Sequence, residues 1–350
     1  MEELPRVDPN EDPYLAVRTA LGVMLCLLLA EPLGITMPLL PAVMVMSIMS
    51  NQRGALNPRT FAAPIIMPVI AVVFSWLVAA TIAEPLLFVI VNLGLAVGGL
   101  ALMLFRGSRG GMMLTVFPLM MAMSGLYNDQ VLVVMRDSMV WGGLAMGIAV
   151  VGLNLLFPPQ TRRVHVEVVQ PLVSKHAGRH LLIRCAVYLP VMLLIFASGD
   201  MNMLVVPIMV LFVVAEPRRG TQMHQVIDRA GGTIVGALVA TAALMLYSLV
   251  PQLWVLILSC GAITFFLIDK MITGSGRPLI YQYTCSAALV MILSSATGAL
   301  SAMSRGALEV VLQRVVLTSV AMVGAILLLA LLEAIFLPSE EEEALTPATA

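Results

Sequence analysis

Charge is the scarcest property of this chain. Lysine, arginine, aspartate and glutamate make up 11% of its 350 residues, where an ordinary soluble domain carries about a quarter. With a mean hydropathy of +1.00, that excludes a soluble domain tethered by one anchor and leaves a polytopic membrane protein. A net charge of −1 excludes an electrostatic nucleic-acid binder. The sequence has no G-x-x-x-x-G-K-[S/T] loop, so ATP is not an internal energy source. It also lacks H-E-x-x-H, G-x-S-x-G and C-x-x-C, which argues against an enzyme and calls for no cofactor and no metal. The four cysteines (Cys26, Cys185, Cys260, Cys285) lie in apolar runs and read as small buried hydrophobes. The four histidines lie in polar connections; His176 and His180 are four apart without an acidic or thiol partner, as in a solvated linker. The acidic start, MEELPRVDPNEDPY, lacks the basic segment of a cleaved signal peptide, so the first span is expected to stay in the membrane.

What the chain has instead is apolar runs. Charge divides them into twelve candidate spans at 15–33, 36–50, 61–83, 86–105, 111–127, 137–157, 181–197, 202–216, 230–250, 252–269, 279–298 and 314–337. Runs this continuous fit helices and not barrel strands, because a helix satisfies its own backbone in lipid. Placing the N-terminus and the even connections on one side puts 16 basic residues there and leaves 3 (Arg136, Arg305, Arg314) on the other, accounting for all 19. The positive-inside rule then makes both termini of this multi-pass protein cytoplasmic.

The chain also repeats itself. An offset of 166 places Arg18 on Arg184, Pro41 on Pro207, Arg53 on Arg219 and Gly54 on Gly220. Matched Arg and Pro in so apolar a sequence are informative, because each is costly in lipid. Six spans per half is an even number, so the two repeats enter the membrane in the same sense. The expected organisation is a first six-helix repeat over 1–157, a basic cytoplasmic linker over 158–180, a second repeat over 181–337 and an acidic tail over 338–350.

The second span of each repeat is short. Fifteen residues of helix cover about 22 Å of a hydrocarbon core of about 30 Å, and each span carries its matched proline, Pro41 or Pro207. Proline should bend such a helix and free a carbonyl, and interrupted segments at corresponding places point to a transport site. Two tilted packing helices without a ligand are the plainer alternative. Each short span runs into cations: Arg53, with Arg59 beyond, and Glu216-Pro217-Arg218-Arg219. A guanidinium fork matches a carboxylate, so Arg53 and Arg219 could form an inner vestibule for organic anions; positive-inside anchoring accounts for them equally.

Intramembrane acids are the candidates for proton coupling. Asp269 ends the tenth span beside Lys270, Asp137 opens the sixth beside Arg136, and Glu216 closes the eighth. A structural ion pair or a solvated helix end is the alternative for each. Glu31, Glu84 and Glu333 lie near span ends. The methionine clusters Met112/Met113 and Met120/Met121/Met123 suit an adaptable aromatic-binding wall or simple apolar filling. Gly94/Gly98, Gly143/Gly147 and Gly232/Gly236 are small-xxx-small faces for close helix packing.

The last pair lies within Arg229-Ala-Gly-Gly232-Thr233-Ile-Val-Gly236, at the start of the ninth span. An Arg-x-x-Gly-Thr-x-x-Gly run after a short Pro-containing span resembles the signature of the fusaric acid resistance and aromatic acid exporter family. Arg136-Asp137 resembles that family's opening of its last helix, and the resemblance extends over residues 14–337. It implies an inner-membrane efflux component for aromatic carboxylic acids, typically working with a periplasmic adaptor, and it adds Arg229 and Thr233 to the candidate substrate-binding residues. Two departures stand out. The first half has Arg59-Thr-Phe-Ala-Ala-Pro64 where Gly-Thr should recur, and the cytoplasmic region of larger members is missing, so the chain reads as a short, membrane-only branch. The wider group includes plant malate channels, which keeps a passive organic-anion channel as a rival. A non-transporting membrane scaffold is the other rival, and a homo-oligomer is left open. The expected function is proton-driven export of small organic carboxylates.

Overall fold

The computed structural model describes residues 12–51, 62–160, 177–216, 219–274, 277–296 and 307–336. Arg53, Arg59, most of the basic linker and the acidic tail lie outside the described residues. Among those described, the regular structure is helical: α1 (Leu15–Ala30), α2 (Leu39–Asn51), α3 (Ala62–Thr81), α4 (Pro85–Arg106), α5 (Arg109–Tyr127), α6 (Asp129–Leu156), α7 (Ala177–Ser198), α8 (Val205–Ala215), α9 (Arg219–Leu249), α10 (Leu253–Thr273), α11 (Pro278–Ala296) and α12 (Ala307–Phe336). Local chemistry sets several boundaries. Pro85 opens α4 in its first turn, and Gly107 closes it at φ 57°, a conformation that suits a residue without Cβ. Ser108 then caps α5 by accepting a hydrogen bond from the Gly110 N–H.

Nine of the described helices are long and apolar enough to cross a membrane; α1, α2 and α8 are shorter. The protein is therefore an all-helical, multi-pass membrane protein, with twelve α-helices among the described residues and the second and eighth of them short, as expected. The first expected span stops early, at Ala30, because the chain turns through Gly34 at φ 65° before Pro38. Several spans begin early, α6 and α9 by the most. Helix α6 starts at Asp129, so Asp137 lies two turns inside it, beside Arg136 at 2.8 Å, and does not open it. Helix α9 starts at Arg219, its first three turns being polar rather than apolar.

The matched prolines also behave differently from expectation. Pro41 and Pro207 each occupy the third position of their helix. In a first turn the missing N–H has no intrahelical partner to lose, so they start α2 and α8 without interrupting them. The prolines inside helices are Pro68, Pro118 and Pro190. His180, expected in a solvated linker, is buried on α7, which begins at Ala177.

The chain folds into two compact units, and neither is a sequence half. The first comprises residues 1–72, 133–167 and 228–315, and so combines α1, α2 and most of α6 with α10, α11 and most of α9. Within it α1 packs against α10 and α2, and α2 also packs against α11. Helix α1 is almost encased. Leu15, Val23 and Cys26 are fully buried, and a side chain at Gly22 would meet Val45 at 2.7 Å. Gly143 of α6 presses on Pro68, and Gly142 on Pro41 at 3.2 Å. The core of this unit carries Met46, Cys260, Cys285 and Leu289.

The second unit comprises residues 73–132, 168–227 and 316–350, combining α4, α5, α7 and α8 with most of α12. Helix α4 packs against α5 and α7, and α7 against α8. The α4–α5 contact is backbone-close at Gly99 and Gly111. A Cβ at Gly94 would meet nothing, whereas one at Gly98 would touch the Leu114 side chain of α5 at 3.8 Å. Met121 and Met123 are fully buried and fill this core.

The matched arginines Arg18 and Arg184 are both buried, 0% and 1% exposed. Arg18 donates to Asp12 Oδ2 at 2.9 Å and to the Phe157 carbonyl at 3.1 Å. Arg184 donates to the carbonyls of Val214 and Glu216, at the C-terminal end of α8, and faces Glu333 of α12 at 3.9 Å. Each guanidinium ties its helix to a distant chain segment, so these cations act inside the fold and not as surface anchors.

Candidate functional site

The strongest concentration of polar chemistry beside an apolar space lies in the first unit, where α9, α10 and α11 meet. The sequence builds it through glycine. A Cβ at Gly232 would lie 2.8 Å from Tyr283 Cβ, and one at Gly236 would lie 2.8 Å from both Ala287 Cβ and the Thr284 carbonyl. Helix α9 therefore rests directly on the backbone of α11, as the small-xxx-small spacing predicts. One turn earlier, Arg229 is half-buried with its guanidinium 4.2 Å above the Tyr283 ring, a cation–π contact. Its neighbour Asp228 is buried and accepts from Arg277 Nη1 at 3.0 Å. Two consecutive residues of α9 thus grip α11 at two places.

Between these helices lies a cavity of about 590 Å³, within the usual range for small-molecule sites. Its walls are Val235 and Val239 of α9, Ile263, Phe266 and Leu267 of α10, and Tyr281 and Thr284 of α11, with Arg277 at one end. Phe266 and Val235 are exposed, so the space is a cleft open along the helix surface. Lys270, one turn beyond Phe266, carries its ammonium 5.8 Å from that ring. An apolar trough with aromatic walls and cations at one end can hold an amphipathic anion. A ring there would lie among hydrocarbon, and a carboxylate would meet the Arg277 guanidinium, which remains half-exposed beside Asp228.

A polar contact joins this cleft to the end of the short helix α2. Gln282 Nε2 donates to Ser50 Oγ at 3.2 Å and to Asn51 Oδ1 at 3.4 Å. Asn51 is the last described residue before Arg53.

The residues expected from sequence fall unevenly around this cleft. Arg229 belongs to it. Thr233 turns its hydroxyl back to the Arg229 carbonyl, 2.8 Å away, and so bonds within its own helix. Asp269 is half-buried in the last turn of α10, and its carbonyl accepts from Thr273. Arg219 is the first residue of α9. Asp137 is half-exposed with Arg136, and Pro41 and Pro207 are buried in their helices. Glu216 follows α8, where its carbonyl serves Arg184. Sequence reasoning passed over Arg277, Asp228, Phe266 and Tyr281. The available signal was Arg277-Pro278, a cation set directly before a helix-starting proline, with Tyr281-Gln-Tyr283 one turn later. Among the described residues no three His, Cys, Asp or Glu side chains gather as a metal site.

The apolar helices of membrane length around this cleft make the protein a multi-pass membrane protein. Residues 189–328 match the model of the family described as fusaric acid resistance protein-like, and this supports the family resemblance carried by Arg229 to Gly236. The matched segment includes every residue lining the cleft. No curated protein and no solved structure matches the chain.

Proposed function

We propose that the protein is an inner-membrane exporter of small organic, chiefly aromatic, carboxylic acids, and not an enzyme. The observation that carries this reading is the cleft itself, in which Arg277 stands at the end of an apolar trough walled by Phe266 and Tyr281. Buried Asp228 orients Arg277 without covering it, since the Arg277 side chain remains 52% exposed. Arg53 and Arg219 form the approach from the cytoplasm in this reading, the proton gradient drives export, and a periplasmic adaptor receives the substrate.

Everted vesicles containing the protein should accumulate a radiolabelled hydroxybenzoate, and an uncoupler should abolish the accumulation. Uptake that merely equilibrates and ignores the uncoupler would leave a passive channel. Uptake equal to that of protein-free vesicles would leave a scaffold. Normal expression with normal uptake in the Arg53→Gln, Arg219→Gln double variant would remove the vestibule.

The reading includes a duplicated architecture with cytoplasmic termini. Helices α2 and α8 start at Leu39 and Val205, the same 166-residue offset that superposes Arg18 on Arg184. With α1 to α6 set against α7 to α12, the first unit holds positions one, two and six of the first repeat with three, four and five of the second. The second unit holds the complementary set, α3, α6, α9 and α12 each running through both units. Each repeat then completes its core with helices of the other. Cutting the chain at residue 168, with a reporter on the new end, tests both points. Co-expressed halves should assemble with the reporter in the cytoplasm, and either half alone should be degraded. Survival of a lone half would overturn the exchange of helices; a periplasmic signal would overturn the orientation.

A further inference from the structure

We propose that the cleft takes its substrate sideways from the lipid leaflet at its Arg277 end, and that the substrates are carboxylic acids lipophilic enough to reside there. This deepens the exporter reading and rests on it for the direction of transport and for placing that leaflet on the cytoplasmic side. The three helices of the cleft, all in the first compact unit, bring their charges to one end of it. Helix α9 leaves that end with Asp228 and Arg229, α10 arrives there with Asp269 and Lys270, and α11 departs just after Arg277. Tyr281 Oη lies at the same end, since a Cβ at Gly274, just past α10, would meet it at 3.3 Å. From there the walls turn apolar, through Val235, Val239, Phe266 and Ile263. The cleft reaches as far as Thr284, about 10 Å from Arg277 along the helix axis.

One long side of the cleft is open at membrane depth. Thr284 and Leu267 are buried and form its floor, whereas Val235, Ala262 and Phe266 are exposed and form its rim. Around that rim Ile234, Leu238 and Phe265 are exposed as well, all three apolar. Helices α9 and α10 both have membrane length, so hydrocarbon chains and not water meet this rim. Among the described lining residues Arg277 alone is charged, and it stands at the end.

A lipophilic acid in a bilayer already has the orientation that the cleft requires. Its carboxylate stays at the water interface while its apolar body lies among acyl chains, as amphipathic groups do at a membrane surface. It can therefore pass between lipid and cleft by sideways movement, keeping its head at one depth. The charges at the head end are the cations Arg277, Lys270 and Arg229 and the acids Asp228 and Asp269, which leaves one positive charge in excess for an anion. Size separates this occupant from ordinary lipid. A volume of about 590 Å³ suits one drug-sized molecule. The length of about 10 Å falls short of the roughly 15 Å that an acyl chain spans in one leaflet. Because the rim is open, a substituent longer than the trough can extend into lipid.

Photolabelling in lipid nanodiscs tests the site without requiring transport. The probe is a 4-alkylbenzoate carrying a diazirine in its chain, and peptide mass spectrometry locates the adducts. They should fall on the 235–239 stretch of α9 and the 262–266 stretch of α10; adducts that avoid both stretches overturn the proposal. Unlabelled 4-octylbenzoate should displace the probe as well as 4-butylbenzoate does at equal mole fraction in the lipid, and the octyl methyl ester should not. Exclusion of the octyl compound, with benzoate still competing, would mean an enclosed site and overturn the open rim. Labelling of the same residues by a diazirine phosphatidylglycerol that octylbenzoate cannot displace would mean a resident lipid and overturn the proposal too. Labelling by the benzoate probe should fall about tenfold or more in Arg277→Gln. Should that variant fold poorly, the Asp228→Asn, Arg277→Gln pair decides, and undiminished labelling overturns the anion end. In everted vesicles Val235→Trp, which obstructs the rim, should slow uptake of 4-octylbenzoate several-fold; a parental rate overturns the sideways route. Labelling of the cleft in a protein that accumulates nothing would instead retire the exporter reading and leave the lipid-facing site in place.

Discussion

Replacing Asp12 with alanine should destabilise the protein by about 3–5 kcal/mol, the range for stripping one partner from a buried ion pair. Arg18 and Asp12 are both 0% exposed, so the variant leaves a guanidinium that water does not reach. The Phe157 carbonyl takes one of its N–H groups but supplies no charge. Denaturation in detergent or nanodiscs, followed by helix signal, measures the loss. The Asp12→Ala, Arg18→Met double variant should recover most of it, because a thioether of similar length fills the space without a stranded charge. A loss below about 1 kcal/mol in the single variant, the value typical of an exposed pair, would show that the pair is solvated and that α1 is not encased.

Replacing Arg277 with glutamine should weaken uptake of an aromatic carboxylate roughly tenfold to a hundredfold, the equivalent of losing a charge-assisted hydrogen bond of about 1.5–3 kcal/mol. Lysine at 277 should restore part of the affinity, since an ammonium keeps the charge but not the fork. The single change also leaves Asp228 buried without its cation, so a stability loss could imitate a binding loss. The Asp228→Asn, Arg277→Gln double variant separates the two: it should fold as the parent does and still bind weakly. A well-folded double variant with parental uptake would take Arg277 out of the substrate site. Phe266→Ala should weaken binding of aromatic acids more than of aliphatic ones, since the ring is a wall of the cleft and carries no part of the charge.

Much of the fold was legible because lipid restricts what a chain can do. Apolar runs bounded by charge mark helices whatever packs against them, and the α4–α5 boundary came within a few residues because Gly107 and Ser108 state it locally. Gly232 and Gly236 announced a close helix contact, and α11 is what they touch. The prolines were misread for a local reason. Pro41 stops or starts a helix according to whether its turn is the first, and apolar composition is the same on both sides of it. His180 was misplaced because a basic run continues into the polar first turns of α7.

By itself the sequence determined that this is a multi-pass helical membrane protein, that its second and eighth helices are short, and that residues around Arg229 carry a recognisable signature. These follow from hydropathy, from proline and glycine chemistry, and from spacing along one helix. Only the tertiary structure decided which charges are buried and what they meet. Arg18 finds Phe157 across 139 residues, Arg277 finds Asp228 across 49, and Arg184 finds a carbonyl 32 residues on. The reason is physical. A buried charge is tolerable only beside a partner, and the partner comes from whichever helix packs there, which no local pattern records. The cleft has the same origin, since Val235 and Phe266 lie on two helices and Arg277 just ahead of a third, and they share a wall only after Gly232 and Gly236 bring α9 down onto α11.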